Sequence, residues 1–536
     1  MNSHSSVLRD FTVDRRVWLL SSVAVAIGAC GALLAVVLLK GIALATNLFY
    51  YHRLSLASVS PAGSPLGYGM LFVPVIGGLI VGLMARFGSD KIRGHGIPEA
   101  IEAILLNGAK VQPSLALLKP ISAAIAIGSG GPFGAEGPII MTGGAFGSLV
   151  AQWMHLTDAE RTTLLVAGAA AGMSATFAAP LAAILLAVEL LLFEWRPRSL
   201  IPVAFASITA EVVRIPLLGP GPLFAMPNMP YQQTLLVACG ALLLGLFVGL
   251  AAAGLSKMMY GFEDLFERLP VHWMWWPALG GIGIAMGGLF FPRGLGVGYN
   301  NIAELLRGNA PLGLLLGLVI AKSLMWAFSL GSGTSGGVLA PLLMIGGAMG
   351  ELAAHVGHAN ATQQALWAAV GMGAMLSGSL GVPLTAILFC LEITHCIPAL
   401  LPLMLGCVSA YMVTSLLMPR SILTEKLSRR GTHLTREYGI DPLETVSLVE
   451  VMTEIGWQNC GETRPGGPLP EVYAYSDETS RAAAEKMAIA GIGTLLVVDR
   501  SSNAVCGRVT LLDLLLGRRK LAKREQERLR IFAPRH

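Results

Sequence analysis

The chain has 536 residues, 54% of them hydrophobic and only 13% charged, about half the charged share of a soluble domain. Its net charge of +5 gathers at the two ends, and no basic patch is interleaved with aromatics as a nucleic-acid groove requires. These features exclude a soluble enzyme and a nucleic-acid binder. The 64 glycines and 30 prolines lie inside apolar runs, which excludes collagen-like and linker readings.

Apolar runs of twenty or more residues recur from Val17 to Met418, so the chain reads as an all-α polytopic membrane protein. Arg9, Arg15 and Arg16 precede an uncharged run, Val17 to Leu39, that is long enough to span and lacks a small-residue cleavage site. This is a first membrane helix behind a cytoplasmic N-terminus, residues 1–16. The loop Tyr51 to Ser64 carries one arginine, whereas Arg86, Lys91 and Arg93 follow the second span. Positive-inside logic then predicts cytoplasmic termini. The segment Ile97 to Leu106 would make only about 15 Å of helix against a hydrocarbon core of about 30 Å. It is expected to be a half-helix buried in protein. The cysteines (Cys30, Cys239, Cys390, Cys396, Cys407, Cys460 and Cys506) form no CxxC pair and no zinc spacing, and are expected to be buried apolar residues.

Compared with itself at an offset of 203 residues, the chain aligns without a gap over two segments. GSGGPFGAEGPIIMTGGAFGSLVA from Gly128 meets GSGTSGGVLAPLLMIGGAMGELAA from Gly331, and GAAAGMSATFAAPLAAILLAVEL from Gly168 meets GMGAMLSGSLGVPLTAILFCLEI from Gly371. Lys119 meets Lys322. The membrane part is therefore two repeats, 17–220 and 231–431, and paired segments interrupted by Gly and Pro point to a transport site between them. Three loops stand out: Gly94 to Pro98, Gly128 to Pro138, and Gly331 to Pro341. Each has glycines where backbone approaches a ligand closely and a proline where a first-turn N–H has no partner anyway. Half-helix N-termini in a dry interior are anion sites.

At these residues the chain resembles the CLC family of chloride channels and proton/chloride antiporters. Gly134-Ala135-Glu136-Gly137-Pro138 is similar to the family's G(K/R)EGP gate, Gly94-His95-Gly96-Ile97-Pro98 to its GSGIP loop, and Gly337-Val338-Leu339-Ala340-Pro341 to its GxFxP loop. Arg420 to Gly431 resembles its final cytoplasmic-facing helix. The resemblance implies about eighteen broken and tilted helices in two inverted halves, and a homodimer in lipid with one anion pathway per subunit. It further implies chloride as substrate, protons as a second one in the antiporters, and a bacterial inner membrane as location.

Glu136 is the expected gate. Its repeat partner is Leu339, so the scaffold itself does not demand an acid there, and a carboxylate at membrane depth points to function. The expected anion-binding loops are Gly94, His95, Gly96 and Ile97, then Gly134, Ala135 and Gly137, then Val338 and Leu339. Glu189 and Glu392 are repeat partners, which favours a shared scaffold role such as closing a helix end. Three positions depart from the family pattern. Leu190 stands where the antiporters carry the cytoplasmic-side proton glutamate, with Glu194 as a possible substitute one turn on. His95 stands at the serine, and Leu423 at the inner-gate tyrosine. Ala135 replaces a basic residue, leaving the external approach less positive. For Lys119 both tethering and anion attraction stand; for Lys322 tethering is favoured.

Residues 445–517 resemble one cystathionine-β-synthase-type (CBS) α/β domain, in which Thr510 and Asp513 are the positions that contact an adenine nucleotide. Such motifs work in pairs, and pairing across a dimer and a purely structural role both stand. Residues 518–536 read as a basic tail. The leading function is chloride transport gated by Glu136 with weak or absent proton coupling, without enzymatic activity, cofactor or metal. Proton-coupled antiport and selectivity for fluoride or nitrate are the alternatives. A remote one is an intramembrane serine protease at Ser335, in the G-x-S-G stretch Gly333 to Gly336, with His355 or His358 as base.

Overall fold

The computed structural model describes residues 15–227, 229, 234–431, 443, 447–454, 471–500, 502 and 504–517. Nearly all of the expected cytoplasmic N-terminus, the whole basic tail 518–536 and Cys460 lie outside these residues. The chain divides into two units, Met1–Leu434 and Thr435–His536.

The first unit is helical. Its first half holds α1 (Arg16–Tyr51), α2 (Phe72–Phe87), α3 (Ile97–Leu106), α4 (Pro113–Gly128), α5 (Glu136–Trp153), α6 (Asp158–Phe177), α7 (Pro180–Leu186, continued by a π turn Ala187–Leu192) and α8 (Pro197–Leu218). The second half holds α9 (Leu235–Glu267), α10 (Trp276–Phe290), α11 (Tyr299–Leu305), α12 (Leu312–Leu316, continued by a π turn Gly317–Lys322), α13 (Ser323–Gly331), α14 (Leu339–Val356), α15 (Ala361–Leu380), α16 (Pro383–Thr394) and α17 (Leu400–Leu417). The short α18 (Ile422–Arg429) follows. Helices α5, α6, α7 and α8 each begin 203 residues before α14, α15, α16 and α17. Start signals repeat with them even where residues differ. Thr157 and Glu160 close a capping box on α6, and Asn360 and Gln363 close one at the corresponding places on α15.

Among the described residues, seven helices or helical stretches are long and apolar enough to cross a membrane. Outward-facing Val37, Val212, Phe247 and Leu416 are exposed on them, as suits lipid rather than water. Helix α3 has the ten residues expected of a half-helix. Cys390, Cys396 and Cys407 are buried as expected, but Cys239 is exposed, because it lies in the first turns of α9, where Leu235, Leu236 and Leu243 are exposed too.

Two reciprocal contacts show that the halves run in opposite directions. Glu189, at the end of α7, accepts from the N–H groups of Leu384 (3.2 Å) and Thr385 (2.8 Å) in the first turn of α16. Glu392, at the end of α16, accepts from the N–H groups of Leu181 (2.9 Å) and Ala182 (2.8 Å) in the first turn of α7. Each carboxylate satisfies orphan donors at the positive end of the other helix, so α7 and α16 lie antiparallel. The helix-closing role expected from symmetry is what the geometry displays.

Small residues set the helix spacing. A Cβ on Gly143 or on Gly168 would collide with the other's carbonyl oxygen where α5 crosses α6, and Gly346 and Gly371 repeat the arrangement where α14 crosses α15. At these crossings backbone packs directly on backbone.

The second unit is a four-stranded sheet in the order β1-β4-β3-β2, with β1 Thr453–Glu454, β2 Tyr473–Tyr475, β3 Thr494–Val498 and β4 Val505–Thr510. Helix α20 (Ser480–Ala490) makes the crossover between the parallel pair β2 and β3, and a four-residue helix α19 (Leu448–Val451) precedes β1. Leu448, Ala474, Met487, Leu495, Val497 and Val509 form its core. Thr510 and Asp513, the expected nucleotide contacts, bond to each other: the Thr510 hydroxyl donates to Asp513 at 2.7 Å and accepts from the Asp513 N–H at 3.3 Å. They close the start of the helical stretch 511–517.

The glycine crossings give a stability prediction. Gly168→Val forces α5 and α6 apart and should destabilise the protein by about 1–3 kcal/mol, seen as a lower temperature for loss of the monodisperse peak in detergent. Gly254→Ala, with nothing within 4 Å of the added carbon, should leave that temperature unchanged.

Candidate functional site

The three glycine-rich loops converge in the middle of the membrane unit. Gly134 and Gly337, repeat partners, exchange a pair of backbone hydrogen bonds, Gly134 N–H to Gly337 O at 3.1 Å and Gly337 N–H to Gly134 O at 2.8 Å. They form an antiparallel bridge, so α5 and α14 leave this point in opposite directions. Gly94 joins alongside: its N–H donates to Thr334 O at 3.2 Å and its carbonyl accepts from the Gly336 N–H at 3.4 Å. A Cβ on Gly137 would run into the carbonyl oxygen of His95, which is why the loops need glycine here.

Two buried lysines brace this core. Lys119 donates to the carbonyls of Ile92 (2.7 Å) and Gly94 (2.8 Å), and Lys322 donates to those of Gly294 (2.8 Å) and Gly296 (2.9 Å). Both are fully buried. Tethering is thus the observed role of each, and Lys119 also faces Glu99 electrostatically.

Glu136 is fully buried at the start of α5. Its Oε1 accepts from the backbone N–H of Ala340 at 3.1 Å, in the first turn of α14, while Oε2 has no hydrogen-bond partner in the protein. The carboxylate lies against Gly134 and Gly337, where any Cβ would overlap it. Its donor is one position beyond the expected pair Val338 and Leu339. Lys322 and Tyr299 lie within electrostatic reach of the carboxylate.

On one side of this point, His95 is buried and both ring nitrogens lack partners. Lys119 from α4, Lys426 and Arg430 at the end of α18, and Glu99 from α3 face it. Glu99 is ion-paired to Lys426 at 2.8 Å and lies 3.6 Å from Arg430. His95 opens on a cavity of about 350 Å³ shared with Arg93, Glu263, Lys426, Arg429 and Arg430, with Asp90 and Glu267 also on its wall. The Arg93 guanidinium lies over the rings of Trp273 (4.9 Å) and Trp276 (5.4 Å). Leu423 is fully buried in the first turn of α18 and offers no polar atom beyond its backbone. Tyr260 brings a phenol to this cavity from α9, but its hydroxyl donates to the Ile422 carbonyl.

Leu190 is fully buried in the π turn after α7. Glu194 is held in a polar cluster: Arg196 lies 3.4 Å and Arg198 3.5 Å away, and the Ser199 hydroxyl donates to it. The Ser335 hydroxyl accepts from Ser122 at 3.1 Å. His355 and His358 lie at the far end of α14, about 25 Å along the helix axis, so serine and histidine are not brought together and the protease reading fails. No group of three or more possible metal ligands occurs among the described residues.

Sequence comparison at a single offset missed Tyr299. One residue more separates Lys322 from its tethered loop than separates Lys119 from its own, so Gly296-Val297-Gly298-Tyr299 matches Gly94-His95-Gly96-Ile97 at 202 rather than 203. The shared G-x-G and the lysine tether are the signals that find it.

Comparisons with known proteins agree with this geometry. Residues 77–415 match the family model described as voltage gated chloride channel. The chain is 32% identical over 365 residues to the H(+)/Cl(-) exchange transporter ClcA of Citrobacter koseri, covering 65% of this chain and 75% of that one. It is 31% identical over 366 residues to chloride channel protein CLC-f of Arabidopsis thaliana, covering 62% of this chain and 46% of that one. A crystal structure of a slow cyanobacterial Cl-/H+ antiporter superposes with a TM-score of 0.67 at 23% identity, over 78% of this chain and 99% of that one. The chain belongs to the voltage-gated chloride channel, or CLC, family.

Proposed function

We propose that this chain carries chloride across the membrane, with Glu136 as gate and only weak proton coupling. The observation that carries the reading is the Glu136 carboxylate bound to the Ala340 N–H at the start of α14. A carboxylate and a chloride ion make the same demand on such a donor, so they compete for it. An anion approaching His95 meets four cations, Arg93, Lys426, Arg429 and Arg430, on a wall that also carries Asp90, Glu263 and Glu267. A neutral imidazole N–H at His95 replaces a hydroxyl as donor to it. Glu136, Ala340, His95 and Lys426 all belong to one chain, which supports one pathway per subunit of the homodimer that the family likeness implies.

Protonation favours opening, because a neutral carboxyl is a weaker acceptor from the Ala340 N–H than an ionised one. Protons reach Glu136 poorly from the side of His95. Leu190 has no titratable group and Glu194 is ion-paired elsewhere. Proton-coupled exchange is the second reading, supported by the likeness to a protein named as an H(+)/Cl(-) exchange transporter.

In proteoliposomes, chloride efflux through the native protein should rise as pH falls, whereas Glu136→Gln should run at a high, pH-independent rate; native pH dependence in that variant would remove Glu136 from the gate. A chloride gradient should drive little uphill proton movement, and Glu194→Gln should leave it unchanged. Strong uphill pumping that His95→Ser abolishes would instead establish exchange through the imidazole.

A further inference from the structure

The loop that carries His95 has a copy on the second repeat, and the polar group of that copy is the Tyr299 hydroxyl. Lys119 ties the first loop through Ile92 and Gly94, and Lys322 ties the second through Gly294 and Gly296. The Gly94 N–H donates to Thr334 O near the start of the α14 loop, and the Gly296 N–H donates to Gly130 O at 3.0 Å near the start of the α5 loop. The two loops therefore flank the Gly134–Gly337 bridge in pseudo-symmetric fashion, one presenting His95 and the other Tyr299.

Tyr299 is held rigidly. Its ring meets Phe177 and Phe224 edge-on, with centroids 6.3 Å and 6.0 Å apart. Its hydroxyl is buried without a hydrogen-bond partner in the protein, as is Oε2 of Glu136. A buried hydroxyl without a partner is costly, by about 1–3 kcal/mol. Among the described residues, the groups that favour the ionised carboxylate are Lys322, already engaged by two carbonyls, and the backbone N–H groups of Glu136 itself and of Ala340. When an anion takes the Ala340 N–H, the displaced carboxyl needs another donor in a dry interior. Tyr299 offers an uncommitted side-chain donor within its electrostatic reach.

We propose that the Tyr299 hydroxyl is the second seat of the gate, donating to the Glu136 carboxyl when an anion displaces it from α14. Tyr299 is then a positioning residue that stabilises the open state through Glu136. The proposal rests on the reading of Glu136 as the gate.

The test is chloride efflux from proteoliposomes across a range of pH for the native protein, Tyr299→Phe, Glu136→Ala and the double variant. Phenylalanine keeps the ring contacts with Phe177 and Phe224, and a monodisperse elution profile checks the fold. Tyr299→Phe should slow efflux at neutral pH by about three- to tenfold, the factor that one hydrogen bond carries. It should also move the pH of half-maximal efflux by about half to one unit towards acid. In the Glu136→Ala background the same change should have no effect. Native rate and pH midpoint in Tyr299→Phe would overturn the proposal while leaving the gate intact. An equal loss in both backgrounds would overturn it too, by showing that the hydroxyl serves the anion or the scaffold. Native pH dependence in Glu136→Ala would overturn the gate reading and the second seat with it.

Discussion

One interaction organises the centre of the molecule: the backbone N–H at the start of α14 has no partner within its helix and lies where water does not hydrate it. An orphan donor at a helix N-terminus carries partial positive charge, and in a medium of low polarity that charge must be met by an acceptor. Here the acceptor is the Glu136 carboxylate, presented by the repeat counterpart of the very helix it caps. Because a carboxylate is a removable acceptor, the proposed function has an anion take over the same contact.

The duplicated architecture explains how so exposed a donor is held in place. Antiparallel halves bring the starts of α5 and α14 to one point, and the Gly134–Gly337 bridge locks them. Farther out, Glu189 and Glu392 cap each other's helices in the same reciprocal way, and there both caps are permanent parts of the scaffold. The contrast is instructive. At the outer pair the acid is present in both repeats, so each cap is matched. At the centre only one repeat has the acid, and Leu339 stands at the equivalent position of the other.

Much of this was legible in the sequence because repetition acts as an internal alignment. Identity at an offset of 203 exposed both halves, the paired lysines and the paired glutamates, and the short apolar segment at Ile97 announced a half-helix. The inner departures at His95, Leu190 and Leu423 were readable against a family pattern. What stayed hidden depends on three-dimensional closure. Ala340 emerges as a donor to Glu136 because the direction of a single N–H relative to a side chain on another helix is not encoded in spacing. The ion pair of Glu99 with Lys426, more than three hundred positions away, likewise leaves no mark on local spacing. Tyr299 was concealed by one extra residue between its loop and Lys322 that broke the register. The exposed Cys239 failed a rule that holds for protein cores and has no force on a lipid-facing surface.

The central claim is that an anion and the Glu136 carboxylate compete for one seat. Anomalous diffraction from crystals grown in bromide tests it most directly, with the native protein compared with Glu136→Gln. The account predicts bromide density against the Ala340 N–H in the variant, and weaker density or none there in the native protein, where the carboxylate holds the donor. Density confined to the surroundings of Lys119 and Lys322 in both, with the Ala340 N–H unoccupied by halide in the variant, would show that side-chain cations hold the anion and would contradict the account.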